Sequence, residues 1–455
     1  MAAKQKQGAT NVVSRDGITY IHCDLSDPFV HPTIPADLTA EQINASLNLN
    51  LGMPLLNPSN SLLRRCMSLL NTIFVSWWEV YAFSIWNHVP ISMRRRMTFN
   101  AWRLYLPLHK MILGTSTGIH KDASAEYHAL TTIMWWGRLF PVSVLRMRFA
   151  LSQLSVWSRD EVVSRVERVA HTVELPVAAP VVQVDHMTVR GLYIHSQEEK
   201  LTEQVIFWLY GGAFLSGCVD GNLSPAESVA RRCGKDVFLP KYRLLPEHTV
   251  EDMLWDAALA YHYLTKVRGV QPRNIILFGI SSGAGLCVRL LQFIGELQRK
   301  EELRPAYIST ALDATIMPGG AVLMCPFVDY TEPKGTMQHY QLHDLVVNQS
   351  VTELGFPFFK IALGDDKNRR LASPVHRSFQ GLPPLCIVVS QHEVVYDQTI
   401  ALVNQARLEG VAVSLGVWHY MCHVFCFLSS FIPEGEQSMD FVCDWIDLRL
   451  KDKNE

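Results

Sequence analysis

The chain has 455 residues, 48% of them hydrophobic, with 41 basic against 43 acidic side chains and a formal net charge of −2. That length holds one large domain or two modest ones, with ample apolar material for a large core. The even charge balance excludes a nucleic-acid surface, and without zinc-spaced His/Cys clusters or a strand-linked G-x-G-x-x-G no cofactor or metal is expected.

The ten cysteines include no C-x-x-C pair. Cys287, Cys325 and Cys386 lie inside apolar runs, where a reduced thiol packs as a small hydrophobe, which points to a reducing compartment. Met1-Ala2-Ala3-Lys4-Gln5-Lys6 lacks the apolar core of a signal peptide. The expectation is a protein that is cytoplasmic or membrane-associated, the endoplasmic reticulum included, and not secreted. Sequons at Asn44 and Asn348 offer a check, since glycosylation there would place the chain in the secretory lumen.

Residues 1 to about 37 are polar and punctuated by prolines, and no regular structure is expected of them. Thr39-Ala40-Glu41-Gln42 fits a capping box that opens a short helix. Cys66 to Trp86 is the most apolar stretch, bounded by Arg64-Arg65 and Arg94-Arg95-Arg96. It is long enough to cross a bilayer, yet Ser68, Thr72, Ser76 and Glu79 make a polar stripe at helical spacing. Residues 66–86 therefore read as a cap helix, an interfacial helix or an anchor, which keeps a membrane surface among the expected partners.

A basic, amphipathic helix is expected over 91–112. Thr131 to Trp157 is helical in pattern, broken near Pro141. Ser158-Arg159-Asp160-Glu161 starts a charged helix running to about Ala170. The region 1–180 thus reads as a helical cap, rich in arginine and in tryptophans such as Trp77, Trp78, Trp102, Trp135 and Trp136.

From about Val181 the period changes, and residues 181–455 read as one α/β domain. Val181–Val184 and Met187–Ile194 form an expected hairpin. Buried strands follow at 205–210, 236–240, 275–280, 320–324, 385–389 and 413–417, alternating with helical segments such as 249–267. A mainly parallel sheet flanked by helices is the expected result. After the strand at 205–210, Gly211-Gly212-Ala213-Phe214 is a small-residue loop whose backbone N–H groups can approach a ligand.

Gly279-Ile280-Ser281-Ser282-Gly283 sits where the apolar strand Ile275–Ile280 turns into an apolar helical pattern. A sharp turn there tolerates no side chain at either glycine and lifts Ser281 out of the backbone, with the helix N-terminus aimed at any oxyanion. Serine is a weak nucleophile at neutral pH, so it needs an imidazole base and a carboxylate to fix the imidazole tautomer. His423 follows the strand at 413–417 and precedes apolar Val424-Phe425-Cys426-Phe427. Its neighbour His419 reads as structural. The acid leaves the strand at 385–389, as Glu393 or Asp397, in the order serine, acid, histidine.

These segments together resemble the hormone-sensitive-lipase-like branch of α/β-hydrolases, which includes arylacetamide deacetylases and steryl or terpenoid acetyl-ester hydrolases. The family's H-G-G-G-F loop reads Tyr210-Gly211-Gly212-Ala213-Phe214. Its Y-R-L-A-P-E stretch reads Tyr242-Arg243-Leu244-Leu245-Pro246-Glu247. Its nucleophile motif is Gly279–Ala284, its histidine turn Met421–Phe425, and its acid segment Glu393–Asp397. The resemblance implies Ser281, Glu393 and His423 as the triad and Asp397 as a structural partner. It also implies an oxyanion hole from the N–H groups of Gly211, Gly212 and Ser282. Tyr210, Ala213 and Ile280 depart from the family pattern, but none removes a triad group.

The expected activity is hydrolysis of carboxylic esters through an acyl-enzyme, on a short-chain acyl ester of a bulky hydrophobic alcohol. The alternatives are an acyltransferase or lactone-forming enzyme, in which an alcohol replaces water, and a non-enzymatic ligand receptor on the same fold.

Overall fold

A computed structural model describes residues 11–15, 18–22, 85–86, 88–112, 123–137, 147–148, 151, 165–173, 188–196, 203–299, 316–341 and 344–451. Its strands are β1 (Asn11–Arg15), β2 (Ile18–His22), β3 (Val166–Thr172), β4 (Thr188–Ile194) and β5 (Val205–Leu209), then β6 (Asp236–Pro240), β7 (Ile275–Ile280), β8 (Gly320–Met324), β9 (Leu385–Ser390) and β10 (Val413–Trp418). The helices are α1 (Ile91–Ile112), α2 (Ala125–Gly137), α3 (Val219–Cys233), α4 (Val250–His262) and α5 (Ser282–Arg299). They continue with α6 (Thr336–Tyr340), α7 (Gln349–Leu363), α8 (Asp366–Ala372), α9 (Tyr396–Leu408) and α10 (Pro433–Lys451).

The described strands form one ten-stranded sheet in the order β1-β2-β10-β9-β8-β7-β5-β6-β4-β3. From β6 through β10 every pairing is parallel, and β1 to β4 extend the two ends by antiparallel pairing. Every residue of β5, β6, β7, β8 and β9 is buried. Side chains alternate between sheet faces, so unbroken burial requires helices over both. The apolar runs in the sequence are continuous for that reason. Trp208 of β5 and Phe278 of β7 stack across the sheet with centroids 4.2 Å apart. Such a pair adds about 0.5–1.5 kcal/mol beyond the area it buries.

Parallel strands send all their C-terminal ends to one edge. The loops after β5, β7, β8, β9 and β10 therefore meet there, the edge where open α/β sheets bind ligands. The N-terminal helices reach the same neighbourhood. Phe99 of α1 stacks on Phe431 at 5.1 Å and Trp102 meets that ring edge-on at 5.8 Å. Ser124 donates its N–H and its hydroxyl to the two carboxylate oxygens of Glu434, each at 2.8 Å.

Four expectations need correction. Residues 11–22, read as irregular, form the hairpin β1–β2, whose second strand pairs with β10. Arg15 pairs with Ile18, and the Asp16-Gly17 between them is a two-residue hairpin signal that could have found it. The charged segment read as a helix to Ala170 ends instead in β3, a mostly exposed strand in which only Val169 is buried and the charges face solvent. β4 takes β3 and β6 as partners rather than Val181–Val184, and the latter lie outside the described residues. The helical pattern from Thr131 begins earlier, in α2 (Ala125–Gly137), and most of its remainder to Trp157 lies outside the described residues.

The helix expected over 91–112 is α1. The one expected over 249–267 is α4 with a wider π turn at Tyr263–Val267. Most of residues 66–86, the segment after Thr39, and Asn44 lie outside the described residues. Among those described, no helix is long and apolar enough to cross a membrane. Asn348 accepts the Val351 N–H at 3.3 Å where α7 begins.

Candidate active site

The turn at Ser281 is as tight as its glycines imply. A Cβ on Gly279 would lie 2.4 Å from Ala284 Cα, and one on Gly283 would lie 2.2 Å from the Leu209 carbonyl oxygen. Ser281 itself has φ +54°, a left-handed conformation that non-glycine residues adopt at a cost of about 1–3 kcal/mol. Its N–H donates to the Met324 carbonyl at 2.8 Å, and its carbonyl accepts from Phe327 at 3.1 Å. The strained turn is thus pinned by β8, and its side chain stands at the sheet edge in front of α5.

The structure brings Ser281, His423 and Glu393 together from three different loops. His423 Nε2 lies 2.8 Å from Ser281 Oγ, and His423 Nδ1 lies 2.5 Å from Glu393 Oε2. Glu393 is fully buried, and its other oxygen accepts the Ser390 N–H at 2.7 Å. Burial pushes its carboxyl above the ordinary value, and the imidazole and the Ser390 N–H pull it back. A carboxylate in this position holds the proton on Nδ1, which leaves Nε2 free to accept one from Ser281.

Asp397, the other acid candidate, is engaged elsewhere. It is exposed, and Oδ2 accepts the Thr336 N–H at 2.8 Å while its own N–H donates to Thr336 Oγ1 at 3.1 Å. That carboxylate docks α6 rather than the imidazole. We expect Asp397→Asn to cost about 1 kcal/mol of stability and to leave kcat within about threefold of wild type. A thermal melt and a kcat measured side by side check this. His419 lies beside Tyr420, with ring centroids 5.9 Å apart.

The loop after β5 lies directly against the nucleophile. A Cβ on Gly211 would fall 3.1 Å from Ser281 Cβ and 2.7 Å from the Ile280 carbonyl oxygen. Gly212 has φ +133°, and Ala213 and Phe214 follow at +53° and +59°. Phe214 N–H donates to Ser282 Oγ at 3.2 Å, which ties the loop to the first turn of α5. The Ser282 N–H is one of that helix's four N-terminal donors without an intrahelical partner. This places Gly211, Gly212 and Ser282 in one cluster of backbone around Ser281.

Tyr210, at the position of the family's histidine, is buried against Tyr242. Its ring stacks on Tyr242 at 4.1 Å, its hydroxyl donates to the Tyr242 carbonyl at 3.1 Å, and the Tyr242 hydroxyl donates to the Tyr210 carbonyl. The two loops are thereby clasped. Arg148 closes the clasp from outside, donating to the carbonyls of Leu215 and Leu245 at 2.8 and 2.9 Å and forking onto Glu247 at 2.9 and 2.7 Å. The guanidinium holds the Glu247 carboxyl down to about 2. Arg243 forks in turn onto Asp256 and reaches Asp252 at 2.8 Å.

Sequence reasoning missed three groups beside the imidazole. Cys325, just after β8, is buried with φ +49°. It joins Glu393 and His423 in the one metal-capable trio among the described residues, with ligand atoms within 4.8 Å of one another. Of the three, His423 Nδ1 faces Glu393 Oε2 at 2.5 Å. Asp344 and Tyr127 also touch the histidine turn, and no local pattern marks either.

Residues 206–427 match a family model described as alpha/beta hydrolase fold. An esterase of Acinetobacter venetianus is 26% identical over 260 residues, 56% of this chain and 78% of that protein. An acetyl-hydrolase of Streptomyces hygroscopicus is 28% identical over 260 residues, covering 57% and 79%. Among solved structures, an esterase from the bacterial hormone-sensitive lipase (HSL) family superposes with TM-score 0.59 at 23% identity. It covers 72% of this chain and 99% of that one.

Proposed function

We propose that residues 206–427, which match the alpha/beta hydrolase fold model, form a catalytic domain of the hormone-sensitive-lipase-like type, and that the protein hydrolyses carboxylic esters through an acyl-enzyme on Ser281. The observation that carries this reading is the continuous chain Ser281 Oγ–His423–Glu393, at 2.8 and 2.5 Å.

In the proposed cycle Ser281 Oγ attacks the acyl carbonyl while His423 Nε2 takes its proton. The N–H groups of Gly211, Gly212 and Ser282 receive the developing oxyanion; a preorganised donor of this kind is worth about 10²–10³ in kcat. His423 then protonates the leaving alcohol. Water, deprotonated by the same imidazole, attacks the acyl-enzyme and releases the acid. Glu393 holds the imidazole and faces the positive charge that forms on it.

The acyl group is short, and acetyl is the best candidate. Phe327 donates its N–H to the Ser281 carbonyl and belongs to a cluster of rings that includes Phe214, Tyr330, Phe356 and Phe359, with centroids 5.3 to 6.4 Å apart. On this reading the aromatic cluster bounds the acyl side and leaves little length for a chain, and Ala213 adds a methyl to the adjoining loop. Similarity to an acetyl-hydrolase agrees with this. The alcohol is proposed as a sizeable apolar group lying under the N-terminal helices. Trp102 is buried against Phe431. Trp77 and Trp78 lie outside the described residues.

Acetyl, octanoyl and palmitoyl esters of one chromophoric alcohol test the acyl side. We expect kcat/KM to fall by at least about tenfold from acetyl to palmitoyl, equivalent to about 1.4 kcal/mol of transition-state binding. A preference for palmitoyl would remove the short-acyl proposal. Product analysis with and without an alcohol acceptor separates hydrolysis from acyl transfer.

A further inference from the structure

The histidine turn carries an unusual set of hydrogen bonds. Four successive N–H groups, those of Tyr420, Met421, Cys422 and His423, all donate to side chains. Their acceptors are His392 Nδ1 at 3.1 Å, Ser390 Oγ at 3.1 Å, Tyr127 Oη at 2.7 Å and Asp344 Oδ2 at 2.8 Å. The turn is also strained at both ends, with Tyr420 at φ +62° and Val424, a β-branched residue, at φ +51°. Strained backbone persists only where its surroundings over-determine it.

Two of the four acceptors, Ser390 at the end of β9 and His392 just after it, come from the chain leading into Glu393. The other two come from outside the strands and loops of the triad. Tyr127 lies on α2, and Asp344 lies in the segment between α6 and α7. Both are almost completely buried, with 3% of their surface exposed. Asp344 is itself fixed, because its second oxygen accepts the N–H groups of Val346 and Val347 at 2.8 and 2.9 Å. Tyr127 is fixed by α2, whose start is anchored through Ser124 to Glu434.

We infer that Tyr127 and Asp344 are positioning residues for His423: they hold its backbone, and through it the imidazole, within proton-transfer reach of Ser281. The N-terminal helical region is then part of the hydrolytic machinery as well as a cover. This rests on the ester-hydrolase reading. Tyr127 acts as a neutral phenol, because burial pushes its ionisation well above the ordinary value. A displaced imidazole penalises the proton-transfer steps and leaves ester binding intact, so the loss appears in kcat.

The test compares Tyr127→Phe, Asp344→Asn and Ser124→Ala with wild type. Active sites are counted by fluorophosphonate titration, and kcat per titrated site and KM are measured with a chromogenic acetyl ester. Tyr127→Phe removes only the hydroxyl. Asp344→Asn offers one acceptor oxygen where the carboxylate offers two. Both are expected to lower kcat per titrated site by about tenfold to 10²-fold with KM within about twofold. Ser124→Ala, which removes the acceptor of the Tyr127 N–H and loosens the start of the same helix, is expected to lower kcat per site by less than Tyr127→Phe does. A merely structural role would lower the number of titratable sites and leave the rate at each one intact. Wild-type rates per site in Tyr127→Phe would overturn the inference, and Tyr127→Phe decides the matter if Asp344→Asn does not fold. Titration of the wild type bears on the hydrolase reading alone, whereas the variant-to-wild-type ratio bears on positioning alone.

Discussion

Ser281→Ala is expected to lower kcat by about 10⁶-fold, the scale seen when a triad nucleophile is removed, in protein that still melts cooperatively. The residue's backbone is held by bonds to Met324 and Phe327, and the flanking glycines carry the tight approaches to Ala284 and Leu209. None of these contacts uses the serine hydroxyl. What the substitution deletes is Oγ and its hydrogen bond to His423 Nε2, at a structural cost of about 1 kcal/mol. Without Oγ no acyl-enzyme forms, and the remaining rate is what the oxyanion donors and the binding surface supply to attack by water. Circular dichroism and a thermal melt establish folding, and ester turnover measures the rest. Near-normal turnover in folded protein would contradict the covalent mechanism.

The second large effect is Glu393→Gln, for which a loss of about 10³–10⁴-fold in kcat is expected with KM little changed. The reason is specific to this site. One carboxylate oxygen accepts the Ser390 N–H and the other faces His423 Nδ1. An amide that keeps its oxygen on Ser390 must turn its NH₂ toward Nδ1. The imidazole then carries its proton on Nε2, where it meets Ser281 Oγ and cannot accept from it. Flipping the amide instead opposes two donors at Ser390. Either arrangement also removes the counter-charge for the imidazolium. Measuring Glu393→Gln and Asp397→Asn under one set of conditions ranks the two acids. A greater loss in folded Asp397→Asn would move the orienting role there.

The parts of the molecule legible in its sequence are those in which the physical cause is local. The strands at 205, 236, 275, 320, 385 and 413 show as apolar runs because their burial on both faces leaves no alternation to disguise them. Gly279 and Gly283 mark the turn at Ser281 because no Cβ fits either position. His423 and Glu393 could be placed by chain order, since parallel strands deliver successive loops to one edge. Choosing Glu393 over Asp397 required the family's acid segment, because both follow the same strand.

What was not legible depends on contacts remote in the chain. Val166–Thr172 carries Glu167 and Arg168 and reads as part of a charged helix, but pairing with β4 at the sheet edge overrides that local preference. Tyr127 meets Cys422 across 295 positions, and Asp344 meets His423 across 79. Neither spacing has a period or motif that could announce it. Composition alone leaves the tryptophans of the first region open between packing and substrate cover, and Trp102 packs the interface between α1 and Phe431.

Labelling of the native protein by a fluorophosphonate, followed by mass spectrometry of the modified peptide, tests the central claim most directly. A nucleophilic serine hydrogen-bonded to an oriented imidazole reacts with such a probe, whereas an ordinary serine does not. The predicted result is one stoichiometric adduct, on Ser281, absent from heat-denatured protein and from Ser281→Ala. A native, folded protein that takes no label, or takes it on another residue, would contradict the assignment of Ser281, His423 and Glu393 as an ester-hydrolysing triad.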